Sequence, residues 1–309
     1  MSKIATRDAY GKTLVKLGEA NDKVVVLDAD LSKSTKTNDF SKSFPNRFFN
    51  MGIAEQNLVG AACGFATAGK IPFVSTFAMF ATGRAFEVIR NSVCYPKLNV
   101  KICATHAGIT VGEDGASHES IEDISIMRAI PNMTVVVPAD GIETEKVILE
   151  AAKYNGPMYV RLGRSGVPTL FNDDYKFEIG KGTVLREGTD ATIIACGMMV
   201  NEAVLAHEEL KSEGINVRVI NMSTIKPIDK ELIIKAAKET KAIITAEEHS
   251  VLGGLGSAVS EVVCEECPVI VKKIGVNDVF GESGTPAELL EKHGLTAKNL
   301  VKTVKETLK

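Results

Sequence analysis

The sequence predicts an α/β protein made of two doubly wound domains, a mostly parallel sheet domain followed by a smaller α/β one. Three observations carry that prediction. Short β-branched or aromatic runs alternate with stretches of helical periodicity along most of the chain. Composition shifts over residues 165–180, where Pro168, Asn172, Asp173 and Asp174 mark a linker. At 309 residues and 45% hydrophobic content, the chain has enough apolar material for two cores. The domains expected are 1–170 and 171–309, the second starting near Gly180.

Thr6 is placed to cap a helix that carries Tyr10, Leu14 and Leu17 on one side. A buried strand, Val24-Val25-Val26-Leu27, ends in Asp28-Ala29-Asp30, and a polar loop spans 31–45. The short run Phe48-Phe49 reads as a second strand, which hands over at Glu55 to a helix through Leu58, Val59, Ala62 and Phe65. Phe73-Val74-Ser75-Thr76 is a third strand, followed by Phe77, Phe80 and a helix over 84–93. A strand over 100–104, a Gly-rich loop over 106–118, a helix over 121–130, a strand over 134–137, a helix over 143–154 and a strand over 158–160 complete the first domain. In the second, strands fall at 191–195, 217–221, 242–245 and 269–272, with helices around 201–211, 230–238 and 257–264.

A formal charge of −3, with Lys and Arg scattered among acids, offers no basic stripe for nucleic acid. The first residues lack an apolar signal core, and no run approaches the roughly 18 apolar residues that span a bilayer, so no membrane partner and a cytoplasmic location are expected. The six cysteines read as reduced core thiols; the Cys264-x-x-Cys267 spacing lacks a second pair for zinc. Gly253-Gly254-Leu255-Gly256 lacks the third Gly of a dinucleotide fingerprint and reads as a turn and helix start, leaving little for a nucleotide-dependent dehydrogenase. His207, His249 and His293 sit among charged residues and read as surface histidines.

In open parallel sheets ligands gather beyond the carboxyl ends of the strands. Asp30 and Ser34 follow the first strand, Glu55 the second, Phe77 and Phe80 the third, His106 the fourth and Arg164 the last, so one rim collects them all. Each alone has a plainer use: Glu55 in a first helical turn complements the helix dipole, and Asp30 or Ser34 suits a turn. Apolar Ile53, Ala54, Leu58 and Val59 surround Glu55, which suits a carboxyl that shares a proton with a ligand. His106, Asp114 and His118 are candidates to bind hydroxyls or shuttle protons. Arg7, Ser34 and Arg164 offer donors for a phosphate, and residue type alone leaves Arg47 and Arg161 as open alternatives.

Taken together, Met51-Gly52-Ile53-Ala54-Glu55-Gln56-Asn57, Ser75-Thr76-Phe77-Ala78-Met79-Phe80, Thr105-His106 through Gly112-Glu113-Asp114-Gly115-Ala116-Ser117-His118, Ile130-Pro131-Asn132 and Val137-Pro138-Ala139-Asp140-Gly141 resemble transketolase in order and spacing. The resemblance covers essentially the whole chain and is to the family's pyrimidine-binding and C-terminal domains. The Gly-Asp-Gly segment of the family's diphosphate-binding domain does not occur here. The resemblance therefore implies the C-terminal subunit of a split transketolase, inactive alone. A separate N-terminal subunit would hold Mg²⁺ and the diphosphate of thiamine diphosphate, in a heterotetramer of two large and two small chains. It implies that Glu55 contacts N1′ of the aminopyrimidine, that Phe80 with Phe77 walls the pyrimidine, and that Asp30 lies near the cofactor. His106, Asp114 and His118 would bind sugar hydroxyls and assist proton transfer, and Arg7, Ser34 and Arg164 would grip the phosphate of the sugar phosphate substrates. No metal ligand is expected on this chain.

Two positions depart from the pattern: Gly83 stands where long-chain members place a Tyr, and Ser165 follows the second matched Arg. A 2-oxo acid dehydrogenase β subunit or a deoxyxylulose-phosphate synthase also uses an Ile-Ala-Glu-Gln segment. The Gly112–His118 motif and the three phosphate-grip positions favour transketolase, while the joint presence of Glu55, His106, Asp114 and His118 argues against a non-catalytic scaffold.

Overall fold

The structure is a computed structural model that describes residues 3–309. Its strands, in chain order, are β1 (Lys3–Ala5), β2 (Val24–Asp28), β3 (Phe48–Asn50), β4 (Ile71–Ser75), β5 (Lys101–Ala104), β6 (Thr134–Val136), β7 (Met158–Arg161), β8 (Gly166–Pro168), β9 (Thr183–Arg186), β10 (Ala191–Ala195), β11 (Val217–Asn221), β12 (Thr224–Lys226), β13 (Ala242–Ser250) and β14 (Ile270–Val276). A seven-stranded sheet runs β12-β6-β7-β5-β4-β2-β3, parallel except for β12, and a five-stranded sheet runs β14-β13-β10-β11-β9, parallel except for β9. Both are α/β layers, as the alternation of strand and helix patterns predicts.

Successive residues of a strand face opposite ways, and the first sheet shows this directly. Val24 and Val26 pack with Tyr10, Leu14, Val147 and Ile148 on one face, while Val25 and Leu27 pack with Leu58, Val59, Ala62 and Ile89 on the other. The second cluster does not stop at the first sheet: it continues into Ile194, Ile220, Ile233, Leu255 and Val259 of the second half. One reason is β12, a strand from residues beyond 220 that hydrogen-bonds to β6 and so closes the edge of the first sheet.

From β2 the chain goes to β3 on one side and returns to β4 on the other. That reversal opens a crevice beyond the carboxyl ends of β2 and β4, where ligands of such sheets bind.

Several expected elements differ in detail. The expected polar loop over 31–45 contains two short helices, Ser32–Thr35 and Asn38–Ser43. The fully buried Asp28 organises it by accepting from Leu31 N–H (2.6 Å), Thr35 Oγ1 (2.7 Å) and Thr37 Oγ1 (2.9 Å). The helix expected over 84–93 begins earlier, at Ala78, directly after Phe77, and closes in a π turn over Ile89–Cys94. His207 and His249 are buried rather than superficial, because each satisfies its ring on backbone: His207 Nδ1 donates to Val217 O (2.7 Å) and His249 Nδ1 to Ser250 O (2.7 Å). Of the cysteines, Cys94, Cys103 and Cys196 are core thiols, but Cys264 is exposed and Cys63 and Cys267 are half-buried. Helices Pro286–Lys292 and Ala297–Thr307 were not expected from periodicity.

The glycine-rich stretch begins helix Leu255–Glu266, as expected. Glu247 accepts from the N–H groups of Leu255 (2.7 Å) and Gly256 (2.8 Å). A helix N-terminus attracts anions, and here the chain fills that position with its own carboxylate.

Candidate active site

Glu55 is the first residue of helix Glu55–Thr67 and is only 4% exposed. It lies at an open cleft of about 540 Å³ lined by Ile53, Ala54, Gln56, Asn57 and Arg84. Its setting is less apolar than expected: Ile53 turns outward, 76% exposed, and Arg84 Nη1 stands 3.5 Å from Glu55 Oε2. Arg84 also lies over the Phe80 ring, 4.8 Å from its centroid. Phe77 immediately precedes the helix Ala78–Arg84, on which Phe80 and Arg84 fall at helical spacing on one face.

The aromatic stack continues inward. Phe77 and Phe80 are stacked at 5.8 Å and 18°, and Phe77 stacks on His106 at 3.8 Å and 27°. His118 meets Phe80 edge-on at 5.4 Å. One chain of contacts thus runs from Glu55 through Arg84, Phe80 and Phe77 to both histidines.

His106 is 3% exposed and sits at φ +58°, a conformation uncommon outside glycine and characteristic of strained functional positions. Arg7 Nη1 lies 3.0 Å from His106 Nε2, and since a guanidinium only donates, Nε2 must accept. The ring proton is then on Nδ1, which donates to Thr105 Oγ1 at 2.8 Å. Burial, with the charges of Arg7 and Arg164, pushes the His106 pKa down to about 3. With Nε2 accepting from Arg7 and the pKa lowered, His106 is a neutral imidazole.

Arg7 also donates to the Ser34 carbonyl at 3.0 Å, which joins Arg7, Ser34 and His106. Burial lowers its pKa, Asp8 opposes the shift, and the like charge of Arg164 adds to it. Arg164 donates to Val111 O and stands 3.6 Å from both Glu113 and Asp114. The other cations left open by sequence are committed elsewhere. Arg161 is buried against Asp123 (2.8 Å), and Arg47 donates to Asn21 O (2.9 Å) and lies over Phe44. Asp30 sits apart from the cluster: its carboxylate accepts from Asn50 Nδ2 (3.0 Å), and it too has positive φ, +64°. Asp114 is exposed, and His118 is half-buried with Nδ1 3.0 Å from Ser117 Oγ.

Arg84, Thr105 and Asp28 were missed by sequence reasoning. Arg84 had a legible signal, four residues after Phe80 on a helix; Thr105 and Asp28 reveal themselves only through distances. Gly83 opens an apolar cleft of about 540 Å³ lined by Thr82, Phe86, Ser125, Ile126 and Ala129, and a Cβ there would meet only Met79, at 3.9 Å. Ser165 Oγ donates to Thr110 O at 3.1 Å.

The carboxylate, the aromatic stack and the two guanidiniums stand on a two-layered, mostly parallel α/β chain. Within it, residues 2–169 match the transketolase pyrimidine-binding domain and residues 180–300 the transketolase C-terminal domain, and the chain belongs to the transketolase family. It is 54% identical over 306 residues to a protein of Methanocaldococcus jannaschii provisionally named a transketolase C-terminal section, covering 98% of this chain and 96% of the other. Human transketolase is 41% identical over 307 residues, 98% of this chain but 49% of that protein. Among solved structures, one titled as a split gene transketolase, inactive beta4 tetramer, has a TM-score of 0.92 and 60% identity and covers 99% of both chains. Among the described residues no helix is long and apolar enough to cross a membrane.

Proposed function

We propose that this chain supplies the pyrimidine-binding and C-terminal parts of a transketolase that uses thiamine diphosphate to move a two-carbon ketol unit from a ketose phosphate to an aldose phosphate. The observation that carries this reading is Glu55, a carboxylate 4% exposed at an open cleft beside the stacked Phe77 and Phe80. An acid at an open cleft, joined through Arg84 to an aromatic stack, fits an aminopyrimidine. The coenzyme, when bound, supplies the electron sink for breaking and making carbon–carbon bonds. Glu55 would hold and move a proton at pyrimidine N1′, Phe80 backed by Phe77 would stack on the ring, and Asp30 would lie near the coenzyme.

Neutral His106 accepts from a sugar hydroxyl on Nε2 once Arg7 turns from it to the phosphate, while Asp114 and His118 at the rim bind hydroxyls and pass protons. Arg7 and Arg164 take the sugar phosphate with the help of Ser34, since guanidiniums form charge-assisted, fork-shaped bonds to phosphate oxygens. Bringing in a dianion also relieves the mutual repulsion of the two cations.

The division into 1–170 and 171–309, and a cytoplasmic location, belong to the same proposal. So does a separate N-terminal subunit that holds Mg²⁺ and the diphosphate and assembles with this chain into a heterotetramer. Alignment with about half of human transketolase, and with the full length of a split-gene chain, supports it.

The test is the reconstituted pair with xylulose 5-phosphate and ribose 5-phosphate, against pyruvate alone. Ketol transfer is expected; turnover of pyruvate in its place rejects the reading in favour of the 2-oxo acid or deoxyxylulose-phosphate chemistry.

A further inference from the structure

The loop that carries His106, Asp114 and His118 follows β5 of the first sheet, yet much of what touches its middle comes from the second half of the chain. Its ends are closed locally: Ala107 N–H donates to Leu162 O (3.2 Å) and Gly108 N–H to Ser120 O (2.8 Å). Between them, Thr110 N–H donates to Glu248 Oε1 at 2.7 Å, across 138 residues of sequence. Gly108, at φ +83°, makes room for that carboxyl: a Cβ there would lie 2.3 Å from Glu248 Cδ. Further along, Gly112 backs onto Pro286 and Gly115 onto Ser283.

Glu248 is 5% exposed and is itself held firmly, its carbonyl accepting from Arg161 Nη2 at 2.9 Å. A buried carboxylate carries a desolvation cost that an apolar residue of the same volume avoids. Yet its Oε1 is directed onto the backbone of Thr110, midway between His106 and Asp114. A carboxyl oxygen that accepts from a buried backbone N–H at this distance makes a directional bond, which suits a fixed anchor.

We propose that Glu248 is a positioning residue for the substrate loop: by gripping Thr110 and filling the space over Gly108 it sets the placement of His106 and Asp114. The second half of the chain then has a task in the reaction, to hold the sugar-facing loop in register. The consequence for the sugar rests on the ketol-transfer reading; the grip on the loop does not.

Two variants test it. Glu248→Met keeps the volume and removes the acceptor, while Glu248→Gln keeps an acceptor oxygen for Thr110 N–H. Amide exchange at Thr110 is measured on this chain, and kinetics on the complex with the diphosphate-binding chain. Glu248→Met should speed Thr110 exchange about 10-fold and raise KM for the ketose phosphate about 10-fold, with kcat changed less than about 3-fold and thiamine diphosphate affinity unchanged. Glu248→Gln should restore both to within about 3-fold of the starting chain. Wild-type exchange and KM in Glu248→Met overturn the proposal, and so does loss of coenzyme affinity, which marks general damage. Should the unaltered complex fail to transfer ketol units, the functional reading falls while the exchange measurement still decides the grip.

Discussion

The two ends of the candidate site are built on opposite principles. Around His106 nearly every polar group is spoken for within the chain: its Nε2 by Arg7, its Nδ1 by Thr105, and the loop behind it by Glu248. Around Glu55 the carboxylate is buried but its surroundings are open, with Ile53 76% exposed and Arg84 58% exposed at a cleft of about 540 Å³. The His106 end is finished by the two halves of one chain, whereas the Glu55 end presents one wall and stays open. Preorganised hydrogen bonds serve where a small substrate exchanges at every turnover. An open face suits the coenzyme and second polypeptide of the proposed function.

The sharpest way to break this contrast is Glu55→Gln in the reconstituted complex. It should lower kcat by about 10²- to 10⁴-fold, the usual worth of a positioned proton carrier. Unchanged turnover would mean that the open end does no chemistry and that the chain is a scaffold.

The closed end is tested through its foundations. Asp123 is fully buried and accepts from Tyr159 (2.6 Å) and Arg161 (2.8 Å). Asp123→Ala leaves the Arg161 guanidinium buried without its counter-charge and should cost about 3–5 kcal/mol in denaturant unfolding. A loss below about 1 kcal/mol would show that the buried end is less tightly determined than its contacts suggest.

Two pH predictions sharpen the comparison further. His106, depressed from 6.5 to about 3, binds fewer protons folded than unfolded, so its contribution to stability is full above 6.5 and is lost as pH falls below it. Nitrogen-15 NMR should find the Nδ1–H tautomer still present near pH 5; a cationic ring there would contradict the Arg7 contact.

Glu119 is the reverse case, 2% exposed and pushed up from 4.5 to about 7, first by burial and then by Glu248 and Glu282 against an opposing backbone bond from Glu282. It binds more protons folded than unfolded, so stability falls as pH rises from 4.5 through 7. Glu119→Gln should raise Tm at about pH 8 and leave it nearly unchanged at about pH 5, as thermal melts at the two values will show. The smallest effect expected is at the open end. Gly83→Ala places a Cβ on a helix with only Met79 in ordinary contact, at 3.9 Å, and should stabilise by about 0.5–1 kcal/mol.

How legible this was in the sequence follows from which signals are local. The β2–Glu55–Phe77–His106 order could be read because each residue follows a strand, and strands announce themselves by β-branched runs. Thr285 with Glu288 forms a capping box, and Pro286 stands at the first helical position. That signature was in plain view, yet the helix was missed because only Leu289 of it is fully buried and periodicity is faint. Glu248, Asp28 and Arg161 could not have been assigned their partners. Their bonds join residues distant in sequence or within an irregular turn, and residue type says only that a buried charge must find something. The charge state of His106 was illegible for a similar reason, since burial, and after it two arginines from remote segments, set it.

One further consequence attaches to β12. Because residues 224–226 complete the first sheet beside β6, and one apolar cluster runs through both halves, severing the chain near residue 170 would uncover a raw strand edge and a hydrophobic flank together. Such edges recruit stray strands from other molecules. A fragment ending there is expected to precipitate, so the junction between the two sheets is the wrong place for a gene fusion, a protease site or a swap of modules.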